Sequence, residues 1–444
     1  MRWPCVAALA GCLSIARHAH ADSPVDVEGA LSPQDVRGVV QPERHGAEAA
    51  QTFANALLWP ARLIVDLIFL TAGTAGALLE NEQVVPRTKA FFFTPGGELG
   101  IFPTVFLETG TTANIGARLI ASVDPFAATV RAGYGGEHDN VVEGRMRLDL
   151  SLGVPAVTSV EGLHDRRANV GFLGLGQTPE SDPRNVFRGD AMGATFSERR
   201  ERVVAGFGFR PFSDVEVLFS SSFTQRRQED MPDSEGVGTI ASVFDQGASA
   251  YLFRPTRIAY TELALRYDSR PNRRGVEDGW LVEAYGGAAR GVLSDPAAFS
   301  RAGAQVAGFF KFVRASTIVS PRLVIDGLIP TDGVAVPFRE FTGQPLFRGF
   351  DNRRDYVSVM ASLDYRWVLM RFVAARLFLD FAKVLPSLRE FDIQHVRWAA
   401  GFGFDLYSSS SDLGRIAIAG SSDGFHLLFN LGVPIRFGDR QHRE

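Results

Sequence analysis

The sequence predicts an all-β protein: a transmembrane antiparallel β-barrel of about sixteen strands, preceded by a short N-terminal helix. Three observations lead there. From Leu99 to Phe437 apolar residues recur with a period of two, not the helical period. The segments so patterned run about 10 to 13 residues, the length a tilted strand needs to cross a bilayer, whereas strands of soluble proteins average about 5 to 6. Mean hydropathy is +0.02, although 45% of the 444 residues are apolar and 22% charged. That balance excludes a bundle of membrane helices, each needing about 20 apolar residues, and it excludes disorder. It leaves a soluble protein rich in Gly (45) and Phe (35), or a barrel whose two faces average to neutral.

In chain order, Met1-Arg2, the apolar stretch Trp3 to Ala16 and Ala19-His20-Ala21 read as a secretory signal peptide over 1–21, cut before Asp22. Leu9-Ala10-Gly11-Cys12 offers a lipoprotein signal as the alternative, with a very short apolar core. Under the first reading Cys5 and Cys12 both leave with the signal, so neither disulfides nor thiol chemistry are expected. Residues 22–98 read as a periplasmic lead-in. Within it Ala54 to Leu79 is apolar nearly throughout but carries Pro60, Arg62 and Asp66, and its longest uncharged run is thirteen residues. That is short of a span and predicts an amphipathic or packed helix at the membrane surface or barrel mouth.

The barrel is expected over 99–437, with a tail at 438–444. Strands read near 100–108, 113–123, 127–134, 140–151, 191–199, 202–210, 214–224, 258–268, 279–290, 303–313 and 316–327. Five more read near 356–367, 374–383, 396–407, 414–421 and 425–437. Stretches 153–188, 226–250 and 328–355 read as long connections, the first able to add or absorb a segment. Alternating short and long links is the pattern of periplasmic turns and external loops. The last segment shows the alternation best: Phe425, Leu427, Phe429, Leu431, Val433, Ile435 and Phe437 share one face, with His426 and Asn430 on the other. Val357 to Trp367 likewise opposes Ser358, Met360, Ser362, Asp364 and Arg366. Tyr365/Trp367 and Phe402/Phe404 sit at strand ends, where membrane girdles lie. Gly206, Gly208, Gly401 and Gly403 read as small lumen-facing residues.

Chemistry-bearing patterns are sparse. No G-x-S-x-G elbow, P-loop or H-E-x-x-H occurs. The six histidines left after the signal (His45, His138, His164, His395, His426 and His442) lack metal-ligand spacing. No enzyme, cofactor or metal is expected; a barrel hydrolase pairing His426 with Ser421 or Ser422 is the motif-free alternative. A net charge of −4 gives no reason to expect nucleic acid. The expected partners are the lipid bilayer, lipopolysaccharide among its lipids, and unfolded or exported protein substrates, around a monomeric barrel. Asn430-x-Gly432-x-x-Ile435-x-Phe437 fits the polar-x-Gly-x-x-apolar-x-aromatic C-terminal strand signal of outer-membrane barrels, although the tail Gly438 to Glu444 follows it.

Leu346-Phe347-Arg348-Gly349-Phe350, in the connection before the last five strands, resembles the R-G-F/Y loop motif of the BamA/TamA superfamily, also called the bacterial surface antigen family. The resemblance implies a sixteen-stranded bacterial outer-membrane barrel whose sixth external loop folds back into the lumen, where its Arg meets acidic residues on the next two strands. This sequence offers Asp364-Tyr365-Arg366 and Phe378-Leu379-Asp380-Phe381-Ala382, with Ala where Gly is usual. Arg348, Gly349 and Phe350 are thus the loop motif, and Asp364, Asp380 and Phe378 its lumen counterparts. Phe172-Leu173-Gly174-Leu175-Gly176 is similar to an F-x-G-x-G stretch of relatives. One departure matters: 22–98 leaves little room for the β-α-α-β-β periplasmic domains usual ahead of such barrels. The function implied is insertion or translocation of proteins, or of lipids, at the outer membrane. A passive surface barrel, pore or adhesin competes with it.

Overall fold

The computed structural model describes residues 91–94, 98–108, 113–136, 139–190, 193–230, 238–245, 254–270, 278–312, 314–331, 334, 336–350, 353–370, 373–407 and 412–430. The expected signal peptide, the helix over 54–79, His45, His138, His442, Gly432, Ile435, Phe437 and the tail lie outside the described residues.

Period-two alternation resolves into a single sheet of seventeen strands among the described residues. They are β1 (Leu99–Glu108), β2 (Asn114–Val123), β3 (Phe126–Gly136), β4 (Asp139–Ser151), β5 (Pro155–Phe172), β6 (Ala194–Phe212), β7 (Val215–Asp230), β8 (Gly238–Thr239) and β9 (Thr256–Asp268). Then follow β10 (Gly279–Gly291), β11 (Ala298–Phe312), β12 (Arg314–Pro330), β13 (Val357–Met370), β14 (Val373–Leu385), β15 (Arg397–Tyr407), β16 (Asp412–Ser421) and β17 (Gly424–Asn430). Strand β8 is two residues long and lies parallel on β6, so β7 pairs with β9. Every other neighbour is the next strand in sequence, antiparallel. The sheet curls until β1 lies beside β17, through Leu107↔Phe429 and Glu108↔Leu428.

Register sorts the side chains by face, because neighbours along a strand point oppositely. Val217, Phe219 and Phe223 of β7 oppose Leu265, Leu263 and Ala259 of β9. This face is the outer one, where Ile115, Val142, Met146, Val203, Phe219, Leu263, Leu363, Phe381, Trp398, Phe425 and Leu427 stand exposed. The opposite face buries Glu216, Glu262, Arg266, Glu283, Asp364, Asp380, Asp405 and His426. Apolar residues outside and charges inside invert the plan of a soluble sandwich, and a lipid-facing wall around a polar interior requires that inversion.

Two readings of the strand pattern need correction. Residues 155–172, read as part of a long connection, form the eighteen-residue strand β5. Segments 191–199 and 202–210, read as two strands, are the single strand β6. The cause is shared. His164-Asp165-Arg166-Arg167 and Glu198 to Arg202 are charge runs that interrupt the apolar beat, so each reads as a connection. In the sheet they answer one another: Arg200 reaches Asp165 at 2.8 Å and His164 lies 3.6 Å from Glu201. Cross-strand pairing thus carries the ladder beyond the apolar belt.

On the long-loop side the strand ends hold an apolar cap. Phe172, Phe196, Ile258 and Phe299 from the wall pack with Leu175, Val336, Phe338 and Phe341 from loops and with Ile240, Val243 and Phe244. Ile240 to Val243 form the short helix α1, whose N-cap Thr239 accepts a hydrogen bond from the Ser242 N–H.

Candidate functional site

The connection between β12 and β13 builds the site. Phe338–Glu340 is one 3-10 turn, after which Thr342 and Asp355 pair as an isolated bridge, with Thr342 N to Asp355 O at 2.8 Å and the reverse bond at 3.2 Å. The segment between them is therefore a folded-back hairpin directed at the inner wall. A turn that joins Phe347 N to Gln344 O at 2.9 Å, and Gln344 Nε2 donating to the Lys383 carbonyl at 2.7 Å, seat its tip against β14.

Arg348 meets both acidic candidates. Its Nε donates to Asp380 Oδ2 at 2.8 Å, its Nη2 to Asp380 Oδ1 at 2.5 Å, and its Nη1 to Asp364. The backbone N–H adds a bond to Asp380 at 3.0 Å, and Ser362 Oγ bridges Arg348 and Asp380 at 2.8 Å each. Register explains the convergence: Ser362 lies directly opposite Asp380, and Asp364 opposite Phe378, on the inner face of β13 and β14. The Phe378 ring lies 3.9 Å beneath the guanidinium, a cation–π contact that closes its remaining face. Asp380 is wholly buried. A planar fork gripped by two carboxylates is the arrangement in which a buried arginine charge is best compensated.

The surroundings leave little slack. A Cβ on Gly401 would stand 2.5 Å from the Phe378 ring, and one on Gly349 the same distance from the Phe347 ring. Glycine at both positions permits the close approach. Asp364 is shared with Arg376 at 3.4 Å, and Arg376 continues to Asp405 at 2.5 Å, where Arg415 also binds at 2.9 Å. The result is a ladder of alternating charge running down the lumen across β13 to β16.

The motif also touches β17. A His426 ring nitrogen lies 3.0 Å from the Arg348 carbonyl, and the Phe350 ring stacks on His426 at 4.8 Å and 21°. Arg397 donates to the Phe350 carbonyl and pairs with Asp423 at 3.1 Å. His426 is thus engaged with the loop, while the Ser421 hydroxyl donates to the Gly424 carbonyl at 3.1 Å. Of the C-terminal strand signal, Asn430 ends β17, and the other three residues lie outside the described residues.

Sequence reading missed the loop's other attachments. Arg339 binds Glu198 of β6 at 3.0 Å, and Arg226 of β7 holds Glu198 and Glu340, each at 3.2 Å. The Arg301 side chain donates to the Glu340 carbonyl. The β5–β6 loop fastens on as well: Gly176 N donates to the Arg354 carbonyl at 3.0 Å, and Arg184 grips Asp355 with two bonds of 2.8 Å. Gly174 and Gly176 take positive φ of 99° and 89°, which the F-x-G-x-G stretch needs to turn there. No motif marks Arg184, Glu198, Arg226, Arg301 or Arg339; for Glu198 the charge run within its strand is the signal the sequence offers.

The Arg184 latch predicts a pH response. Burial disfavours the charge on Asp182, but hydrogen bonds from Arg184 outweigh it and hold the carboxyl below its ordinary range. A depressed carboxylate adds stability above its unfolded pKa of about 4 and loses it as the pH falls through the folded value. Protease resistance of the β5–β6 loop is therefore expected to be equal at about pH 7 and about pH 5 and to fall only below about pH 4. Arg184→Ala should expose the loop at every pH, and a wild-type loss already near pH 6 would contradict the latch.

No protein-family model and no curated protein sequence matches the chain. Solved structures do. BamA from Haemophilus ducreyi, in a form lacking POTRA domains 1–3, aligns with a TM-score of 0.51 and 12% identity, covering 74% of this chain and 69% of that one. CdiB from Acinetobacter baumannii aligns with a TM-score of 0.45 and 11% identity over 75% of this chain and 59% of that one. The mainly antiparallel all-β sheet with an apolar outer face and a charged interior, together with the BamA alignment, shows that the chain has the fold of the BamA β-barrel.

Proposed function

We propose that this chain is a bacterial outer-membrane β-barrel that assists insertion or translocation of proteins, or of lipids, at that membrane. The observation that carries the reading is the grip of Asp364 and Asp380 on Arg348, set beside β17, whose ladder to β1 comprises two residue pairs among the described residues. Adjacent strands β13 and β14 share thirteen such pairs. On this reading the residue range 99–437 makes the barrel, and the junction of its first and last strands is the place where it yields. An opened β1 edge presents unpaired backbone N–H and C=O groups, and a substrate strand can add to that edge by β-augmentation. The loop lock holds β13, β14 and β17 in place while the seam opens.

Phe172, Phe338 and their neighbours cap the long-loop end with apolar side chains, which disfavours a free aqueous pore. The test is a Leu107→Cys, Phe429→Cys variant, whose two positions are direct partners across the seam. Oxidation is expected to abolish insertion of a reporter barrel into vesicles, and reduction to restore it. Full activity with the seam crosslinked would refute lateral opening.

A further inference from the structure

The outer face of β5 to β10 changes character along one line. In β6 the outward positions Phe207, Ala205 and Val203 give way to Glu201 and Arg199; in β7, Phe219, Ser221 and Phe223 give way to Gln225 and Arg227. The same change occurs from Gly162 to His164 and Arg166 in β5, from Ala259 to Arg257 in β9, and from Ala288 to Arg290 in β10. The register brings these cations together. Arg166 lies directly opposite Arg199, and Arg199 directly opposite Arg227. Arg257 lies opposite Gln225, one outward position from Arg227, and bonds it at 3.0 Å.

Like charges directly opposite on adjacent strands are destabilising. The acids on the outward positions of β6 and β7, Glu201 and Glu229, are outnumbered by Arg199, Arg227, Arg257 and Arg290. Glu201 binds Arg199 at 2.7 Å, while Arg227 and Arg290 have no acidic partner among the described residues. Beside Arg227 a cleft of about 220 Å³ opens, lined by Gln225, Arg254, Arg257, Ser294 and Asp295 among others. Asp295 is itself engaged, holding Arg254 at 3.1 Å and accepting the Arg257 N–H at 2.8 Å. A cationic row without enough anions, immediately beyond an apolar belt, stands at headgroup level.

We propose that this row is a binding site for the phosphate groups of an anionic lipid in the leaflet on the long-loop side, an inference that rests on the membrane-barrel reading. Arginine forks take phosphate oxygens bidentately. Arg199 of β6 to Arg257 of β9, with Arg227 of β7 between them, spans two strand spacings, about 10 Å, which suits a headgroup carrying two phosphates. Such a lipid would neutralise the row and hold the rim of β5 to β9 in the leaflet.

The test compares wild type with an Arg199→Gln, Arg227→Gln, Arg257→Gln variant, all three sites on the outer rim and away from the loop lock. Each is folded into phosphatidylcholine vesicles doped with diphosphoryl lipid A or with its dephosphorylated form, and retained lipid is read by native mass spectrometry. Wild type is expected to retain the diphosphorylated lipid about a hundredfold better than the variant, on the usual worth of a surface cation near anionic lipid. The dephosphorylated lipid should show no difference. Equal retention by the two inserted proteins overturns the proposal. So does inorganic phosphate at millimolar concentration displacing the lipid, because the site would then take free phosphate. Failure of wild type itself to insert would defeat the membrane reading and this inference with it, a result distinct from equal retention.

Discussion

Asp380→Arg should lower the stability of the folded protein by about 3 to 5 kcal/mol, the scale for leaving one half of a buried ion pair uncompensated. Asp380 accepts the Nε, Nη2 and backbone N–H of Arg348 and the hydroxyl of Ser362. The carboxylate is fully buried, so its removal leaves those donors without their acceptor. The substituted arginine also faces the Arg348 guanidinium at contact distance. The measurement is the temperature at which the compact band on unboiled gels converts to the unfolded one. Adding Arg348→Asp should restore part of the loss by reversing the pair, though not all, because Asp364 and Ser362 remain arranged for a cation. An unchanged midpoint in the double variant would remove the pairing as a source of stability.

Phe172→Ala is the second large effect. The ring is 1% exposed and packs on Phe244 at 4.7 Å and on Phe338 at 4.4 Å. It joins the end of β5, the segment around α1 and the β12–β13 loop in one cluster. Truncating a fully buried phenylalanine costs about 3 to 5 kcal/mol, part of it for the cavity left behind. Because the cluster lies across the mouth, the loss should appear twice: as a lower conversion temperature and as larger, steadier conductance in planar bilayers. A destabilised protein with unchanged conductance would mean that the cap packs without sealing.

The two halves of the lock differ in how far sequence could show them. Arg348, Asp364 and Asp380 were legible because a short motif marked the loop and period two placed both carboxylates on the inner face. Glu198, Arg226 and Arg339 were not, because Arg226 lies 28 positions and Arg339 141 positions from Glu198, with no motif at any of them, and only three-dimensional register sets such a pairing. The apolar beat located most strands. It failed over 164–167 and 198–202, where the strands leave the belt and cross-strand charge pairs replace lipid contact as the reason to stay extended. The same failure concealed the arginine row, whose members are scattered in sequence and adjacent only through pairing.

The β12–β13 loop is fastened at one end to β6 and β7 through Arg339 and Glu340, and at the other to β13 and β14 through Arg348. In mechanical terms it is a chord tied across a hoop. A chord fixes the separation of the two points it joins and stiffens the arc it subtends, here β7 through β13. Because the same loop also holds β17 through His426, any squeeze on the wall must then be taken up by β1 through β5 and by the two-pair junction of β17 with β1. One arginine cluster at each end of a single loop therefore decides which part of the circumference flexes.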